Sequence, residues 1–306
     1  MGNTIGLAKI YSDILNEVWS ASAKTAVLET SDYVRQGANA NEIVIPNMRM
    51  DGLGDYSRTT GFVGGDASLI WKTVSFDYDR GRMFTVDSMD DQESQNIAFA
   101  RLANEFMRSK VIPELDAYRF AKLAQAGVTP GSSPTINSGA TAVAAIRDGV
   151  NNMDDKEVGE EERYLFVTPV VKAYLDDMDT YKSKQVLARF ADVITVPQAR
   201  FYSAITLYDG STAGQTAGGY IKRQASVDPV VAAGADIRFM IVHKPDIICY
   251  TKHTVSKIIT PEQNQDADAW KYGYRSYGLT TVLPNKDKTV ADLDTYPLAT
   301  NAVYWA

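Results

Sequence analysis

Cysteine is nearly missing from this chain: Cys249 stands alone among 306 residues, which excludes an intrachain disulfide. It lies in DIICYTK, an apolar run rich in strand formers, and reads as a small buried hydrophobe. Histidine is scarce too. His243 and His253 are the only two, and with Cys249 they form H-x5-C-x3-H, which matches no common zinc site and lacks a fourth ligand. No apolar run approaches the roughly 18 residues that a membrane span needs. The opening MGNTIGLAKIYSDILNEVW has neither a cationic start nor a long apolar core, so it does not read as a signal peptide. Gly6 stands where a myristoylation site carries Ser or Thr. Cations are outnumbered, 31 Lys and Arg against 38 Asp and Glu, for a net charge of −7. That argues against tight non-specific binding to nucleic acid, which needs many cations facing phosphates, but not against a place beside nucleic acid held loosely.

The signatures of common catalytic chemistry are missing as well. There is no G-x-x-x-x-G-K-[ST] to cradle a phosphate and no H-E-x-x-H. GLGDYS begins like a dinucleotide fingerprint but has no third glycine, and DGSTAG lacks the central serine of a nucleophile elbow. One cluster does invite a chemical reading. VDSMDDQESQ sets Asp87, Asp90, Asp91 and Glu93 close together, as a metal-dependent hydrolase would need. The same carboxylates suit the positive end of a helix. Asp90 followed three residues later by Glu93 resembles a capping box with Asp in place of Ser or Thr. The stretch also lacks the glycine and terminal glutamate spacing of a calcium loop. Helix physics accounts for the cluster, so no catalytic, cofactor-binding or metal-ligating residue is assigned, and no cofactor is expected.

What is present reads as a folded protein, 45% hydrophobic and 23% charged, with length for two domains or one with a large elaboration. Leu7, Tyr11, Ile14, Leu15, Val18 and Trp19 recur at helical spacing over residues 5–19. Such a helix packs either in its own core or, as an arm, on a neighbouring chain. NEIVIPNM reads as a strand; then DGLGDYSRTTGFVGGD holds five glycines in sixteen residues. The β-rich SLIWKTVSFDYDRGRMFTVD follows, and two extended runs around a Gly-rich tip predict an open hairpin. A connection this long marks function or reach.

Residues 92–126 read as a helix of roughly 50 Å, with Phe99, Leu102, Ala103, Phe106 and Met107 on one stripe. Pro113 should kink it or start a second segment. GVTPGSSPTINSG breaks the pattern, and a helix over about 139–153 follows. RYLFVTP reads as a buried strand, VVKAYLDDM as a helix after Pro169, and DVITVPQARFYSAITLYDG as two strands. DGSTAGQTAGGY is a flexible loop; ADIRFMIVHK and DIICYTKH are strands joined at KPD, and a last strand lies near 274–283.

That order of parts resembles the major capsid proteins of tailed bacteriophages, the Hong Kong 97-like fold. SFDYDRGRMFTVDSMDDQES is similar to the junction where the family's extended loop returns into its spine helix. FMRSKVIPELDAYRFAKLA is similar to the later part of that helix, and IITPEQNQDADAWKYGYRSYG to the closing region. The likeness runs from about residue 5 to residue 290. It implies an α+β subunit with an N-terminal arm, an extended β-hairpin loop, a long spine helix and two discontinuous α/β domains. The implied layout is an arm over 1–41, a loop hairpin over 42–86 and a peripheral domain with the spine helix over 87–160. An axial domain over 161–236 follows, and residues 237–306 return to both domains and form the tail.

The resemblance further implies a non-enzymatic subunit that assembles with itself, as hexamers and pentamers, into an icosahedral head. The head would enclose double-stranded DNA without specific binding and without a membrane. The implied place is the virion, assembled in the host cytoplasm. Long family members carry a scaffolding domain ahead of the arm, which here starts almost at Met1. The expectation is a separate scaffolding protein, or one cleaved away, together with a portal. Some members weld subunits through a Lys–Asn bond, but nothing singles out a partner for Lys72 near the hairpin, so Lys72 and Lys24 read as ordinary lysines. Encapsulin-like nanocompartment shells share the fold and stand as the alternative.

Overall fold

The computed structural model describes residues 23–30, 35–36, 41–93, 97–127, 135–178, 181–227, 230–283 and 302–305. The amphipathic stretch over 5–19 lies outside them. After a short turn at Ala26–Leu28 come β1 (Arg35–Gln36), β2 (Glu42–Met50), β3 (Ala67–Ser75) and β4 (Tyr78–Asp87). Helix α1 (Ser88–Glu93) precedes the long helix α2, built of Ile97–Phe106, a π turn at Met107–Val111, and Ile112–Ala126. Then follow α3 (Gly139–Asp155), β5 (Arg163–Val167), α4 (Pro169–Asp177), α5 (Tyr181–Leu187) and β6 (Asp192–Thr195). The chain closes through β7 (Ile205–Leu207), β8 (Tyr220–Lys222), β9 (Ser226–Val227), β10 (Val230–Val231), β11 (Phe239–His243), β12 (Ile247–Ile259), β13 (Ala269–Val282) and β14 (Ala302–Trp305).

The best buried part is a four-stranded sheet in the order β14-β11-β5-β6, with β5 and β6 parallel and β11 antiparallel to both its neighbours. Its sequence runs RYLFV and FMIV are apolar at successive positions, as strands covered on both faces must be. Side chains alternate across the sheet. Leu165, Val167, Phe239 and Ile241 point to α3 and α4, where Ala142, Ile146, Val150, Val171 and Leu175 meet them. Phe166, Met240 and Val242 point the other way, to Phe120, Leu123 and Ala124 of α2. Phe120 sits edge-to-face against both Phe166 and Phe201.

The second sheet, β12-β13-β4, is antiparallel and long. Ala103, Met107 and Val111 of α2 cover its Tyr272 and Tyr274. The same helix therefore joins the two sheets. Pro113 explains the π turn in its middle. Proline donates no N–H, and its ring crowds the carbonyl four residues back. The widened turn absorbs this, with the Ile112 N–H reaching the Met107 carbonyl. The expected interruption is thus one π turn within an uninterrupted helix of about 45 Å.

The third sheet holds the hairpin. β2 and β3 pair from Glu42↔Ser75 to Met50↔Ala67. Ile43 and Ile45 alternate inward at its root, packed with Ile248, Leu279, Val74 and Phe76. The run 67–87 proves to be two strands in two sheets, since β4 leaves the hairpin and pairs with β13 from Tyr78↔Gly278 to Asp87↔Ala269.

The helix cap also differs from the Asp90/Glu93 capping box. The β4 ladder ends at Asp87 and α1 begins at Ser88, so Asp90 and Asp91 lie inside the first turn. Asp87 is the cap, its Oδ1 accepting from the Met89 N–H at 2.9 Å. Asp87→Ala should cost about 1 kcal/mol in urea unfolding, as lost caps do, with Asp90→Ala nearer neutral. The strand expected near 274–283 is β13, which starts at Ala269, and α5, β8, β9, β10 and β14 have no counterpart in the sequence reading.

A polar joint ties α3, β5 and the end of α5. Arg163, almost fully buried, donates to the carbonyls of Val158 (2.6 Å) and Gly159 (2.7 Å) and to Asp154 Oδ1 (2.7 Å). Arg189 holds the other Asp154 oxygen at 2.7 Å. Burial pushes the Asp154 carboxyl up, but the hydrogen bonds from Arg163 and Arg189 outweigh it and hold it below the usual range. A carboxyl lowered in the fold stabilises above its unfolded value of about 3.9 and loses that contribution as pH falls through the folded value. Acid unfolding of Asp154→Asn should therefore show a shallower loss of stability below about pH 4 than the parent chain.

Candidate functional site

Two surfaces stand out. The first is the hairpin tip. Beyond the packed root, residues 51–66 are almost wholly exposed. Five glycines leave the backbone free to turn, and Gly61 uses that freedom at φ +81°. The tip is nonetheless ordered. Asp51 N–H donates to the Asp66 carbonyl at 3.0 Å, and Asp66 N–H to Asp51 Oδ2 at 2.8 Å. Ser57 and Gly61 exchange backbone bonds at 3.2 and 2.8 Å, and the Ser57 hydroxyl accepts from Thr59 and Thr60. Tyr56 and Phe62 meet edge-on at 4.9 Å between centroids. Both rings face solvent, at 61% and 89% exposure, and Leu53 is fully exposed. Apolar side chains gathered in an ordered, exposed nose mark an interaction surface.

The second surface is a cleft of about 1200 Å³ walled by β4, the middle of α2, and the β7–β8 pair with its loop. Phe84, Leu102, Phe106 and Tyr274 form its apolar wall. Arg80 is tied into the opposite side, to Glu114 at 2.6 Å and to the Tyr208 carbonyl at 2.7 Å. Arg82 donates to the Thr216 carbonyl at 3.2 Å, pinning the glycine-rich loop over β4. Tyr78 lies at the cleft floor; burial first, then the charge of Glu114, raise its hydroxyl well above the usual value. Sequence reading did not single out these cations. The signal was there, since Arg80 and Arg82 alternate with Gly81 and Met83 in DRGRM and so share one strand face.

The residues weighed for chemistry do not assemble. Among the described residues, no three of His, Cys, Asp and Glu gather as a metal site. Asp87 caps a helix, Asp90 is exposed in its first turn, and Asp91 is buried there. His243 pairs through Nδ1 with Asp246, whereas His253 is exposed on β12. Cys249 is fully buried, and burial raises its thiol. Lys72 lies exposed on β3 opposite Ile45. Lys24 contributes its backbone N–H to a buried network instead, with Asp116 as the acceptor at 3.1 Å.

That network is the strongest polar feature of the interior. Asp116, wholly buried on α2, also accepts from the Thr25 N–H (3.1 Å), the Thr25 hydroxyl (2.7 Å) and Arg200 (3.2 Å). One helical turn on, Arg119 donates to Thr25, Glu29 and Thr251. Residues 24–29, which follow the N-terminal stretch, are thereby locked to α2 and β12.

No family model matches the chain, and no curated protein matches it. Solved structures do. A capsid structure of cyanophage P-SCSP1u aligns with a TM-score of 0.54 at 12% identity, covering 91% of this chain and 86% of that one. The capsid of Myoviridae phage XM1 aligns at 0.52 and 10% identity, over 89% and 88%. A virus-like particle from Pyrococcus furiosus aligns at 0.52 and 8% identity, over 97% and 99%. At these identities the fold is what is shared: a mixed helix and sheet architecture common to phage capsids, spanning nearly the whole chain.

Proposed function

We propose that this chain is the major capsid protein of a tailed bacteriophage. It assembles with itself, as hexamers and pentamers, into the icosahedral head that encloses the genome. The observation that carries the reading is the fold shared with phage capsids over about nine tenths of the chain. The Hong Kong 97-like layout belongs to the same proposal. Residues 1–41 are the arm and 42–86 the loop. Residues 87–160 form the peripheral domain with α2 as spine, 161–236 the axial domain, and the remainder returns to both. The hairpin that departs from the body and the long helix that joins two sheets support this division.

A shell subunit needs no active site. It needs a rigid wedge and reaching elements, so that many modest contacts hold together. The excess of acidic residues fits a lining that lets DNA slide in and out rather than grip it. Location in the virion, and a scaffolding protein and portal as partners, are parts of the proposal.

A shell of the encapsulin kind is the second reading, favoured by the likeness to the Pyrococcus furiosus particle along 97% of the chain. Neighbouring genes separate the two: terminase and portal for a phage, a cargo enzyme for a compartment. Negative-stain microscopy of the purified protein tests what they share. Closed shells, rings or tubes are expected. A monomer at every concentration would remove both readings.

A further inference from the structure

We infer that the cleft between β4, the middle of α2 and the β7–β8 loop binds a nucleoside phosphate, with the base on its aromatic wall and the phosphate on Arg82 and Lys110. One subunit holds the whole site, so the site does not depend on the shell reading.

Charge selects an anion. The chain is acidic as a whole, yet five cations line this cleft against three acids. Arg80, Arg200 and Lys222 are already neutralised, by Glu114, Asp116 and Asp236. Of the acids, Glu105 is paired with Arg108, and Asp209 is turned into bonds with Ser211 and Thr212. That leaves Arg82 and Lys110, both exposed and without a carboxylate partner among the described residues.

Two contacts set where these cations stand. β4 and α2 meet at one level through the Phe84 and Phe106 rings, 4.8 Å between centroids, and at another through Arg80 and Glu114 at 2.6 Å. Arg82 is midway between Phe84 and Arg80 on the same strand face, and Lys110 is midway between Phe106 and Glu114. Two strand residues advance roughly 6.5 Å and four helix residues about 6 Å, so the two cations come to one level. Arg82 also keeps donors in reserve. Its two terminal nitrogens share the Thr216 carbonyl at 3.2 Å, which leaves three of the fork's five N–H groups unused. Gly210 makes room for that fork, since a Cβ there would stand 3.0 Å from Nη1. A planar fork with spare donors suits a phosphate, and a lysine beside it adds a point charge.

The rest of the ligand is set by the wall. Phe84, Phe106 and Tyr274 form a continuous aromatic surface, with Phe106 6.2 Å from Tyr274 between centroids. Bases stack on such rings whatever their sequence. A bare inorganic anion would leave this wall wet, and a neutral apolar molecule would leave the two cations unanswered. Across the cleft, the Tyr202 and Tyr208 hydroxyls have no protein partner among the described residues and are free to meet a sugar hydroxyl. At about 1200 Å³ the cleft lies just above the roughly 300–1,000 Å³ of small-molecule pockets, which leaves room for one nucleotide and its water. Two free cations answer one phosphate group, not the many phosphates of a duplex.

Equilibrium dialysis of the full chain with radiolabelled AMP tests the site in any state of assembly. Saturable uptake of one AMP per chain is expected, half-complete below about 1 mM. Inorganic phosphate and adenosine, each with half of the chemistry, should compete at least about tenfold more weakly, and Arg82→Glu with Lys110→Glu should weaken AMP by at least as much. Uptake that never saturates, phosphate that competes as well as AMP, or unchanged affinity in the double variant would overturn the inference and leave the shell reading intact. If the double variant misfolds, the unaltered chain still decides. Irradiated with 8-azido-AMP, it should be labelled within residues 78–84, 102–114 or 197–222, and excess AMP should suppress the label. Label confined to other residues would overturn the site. A short single-stranded oligodeoxyadenylate, run as competitor against dAMP, separates the two sources of this chemistry: stronger competition assigns the site to a nucleotide within a strand, equal or weaker competition to a free nucleotide.

Discussion

Asp116→Ala is expected to destabilise the fold by about 3–5 kcal/mol in urea unfolding, the range for removing one partner of a buried ion pair. The carboxylate is wholly buried and receives two backbone N–H groups, the Thr25 hydroxyl and the Arg200 guanidinium. Without it those donors lose their acceptor in the dry interior while Arg119 stays buried one turn away. Asp116→Asn keeps the shape and one acceptor oxygen, so it should cost distinctly less. If the alanine variant lost under about 1 kcal/mol, the network would be a passenger rather than the clasp of residues 24–29. The position of those residues matters because they connect the N-terminal stretch to the helix that joins both sheets.

Replacing residues 52–65 by an Asn-Gly turn should leave a folded, soluble subunit with an unchanged melting temperature and no closed shells. Asp51 and Asp66 already face each other, the Asp51 N–H on the Asp66 carbonyl and the Asp66 N–H on the Asp51 carboxylate, so a two-residue turn of the hairpin kind closes the gap. The deleted residues contribute nothing to the buried clusters, whose hairpin members are Ile43, Ile45 and Val74. Light scattering and negative-stain microscopy read the outcome. Normal shells from the shortened chain would mean that the hairpin is dispensable, and a fall in melting temperature would mean that the tip packs on its own subunit.

Much of the architecture was legible because it follows from short-range pattern. The stripe from Phe99 to Met107 predicts α2, the run ADIRFMIVHK predicts a strand, and the Gly-rich segment predicts an open hairpin. The misreadings share a physical cause. Asp87 is the cap because the β4 ladder stops there, opposite Ala269, a partner far along the chain. Local spacing alone favoured Asp90. The break between β3 and β4 is likewise invisible locally, since both are β-rich and only pairing with β2 or β13 divides them. The cleft escaped notice for the same reason, as its walls come from residues 78–114 and 197–222 together with Tyr274. Short elements such as α5 and β8 to β10 carry too few residues for any period to emerge.

The pairing of β4 with β13 also sets an order in time. Arg275 holds Asp79 through two bonds, at 2.8 and 2.6 Å, across 196 residues of sequence. A chain emerging from the ribosome makes β4 early and must wait for nearly all the rest before β13 arrives to cover it. Loop closure on that scale is slow compared with helix formation. During the wait, Met83, exposed even in the finished fold, and the unpaired edge of β4 are open to the wrong neighbour. The arginines and aspartates spaced along that strand, Asp79, Arg80, Arg82 and Asp87, keep the edge charged until its partner is made.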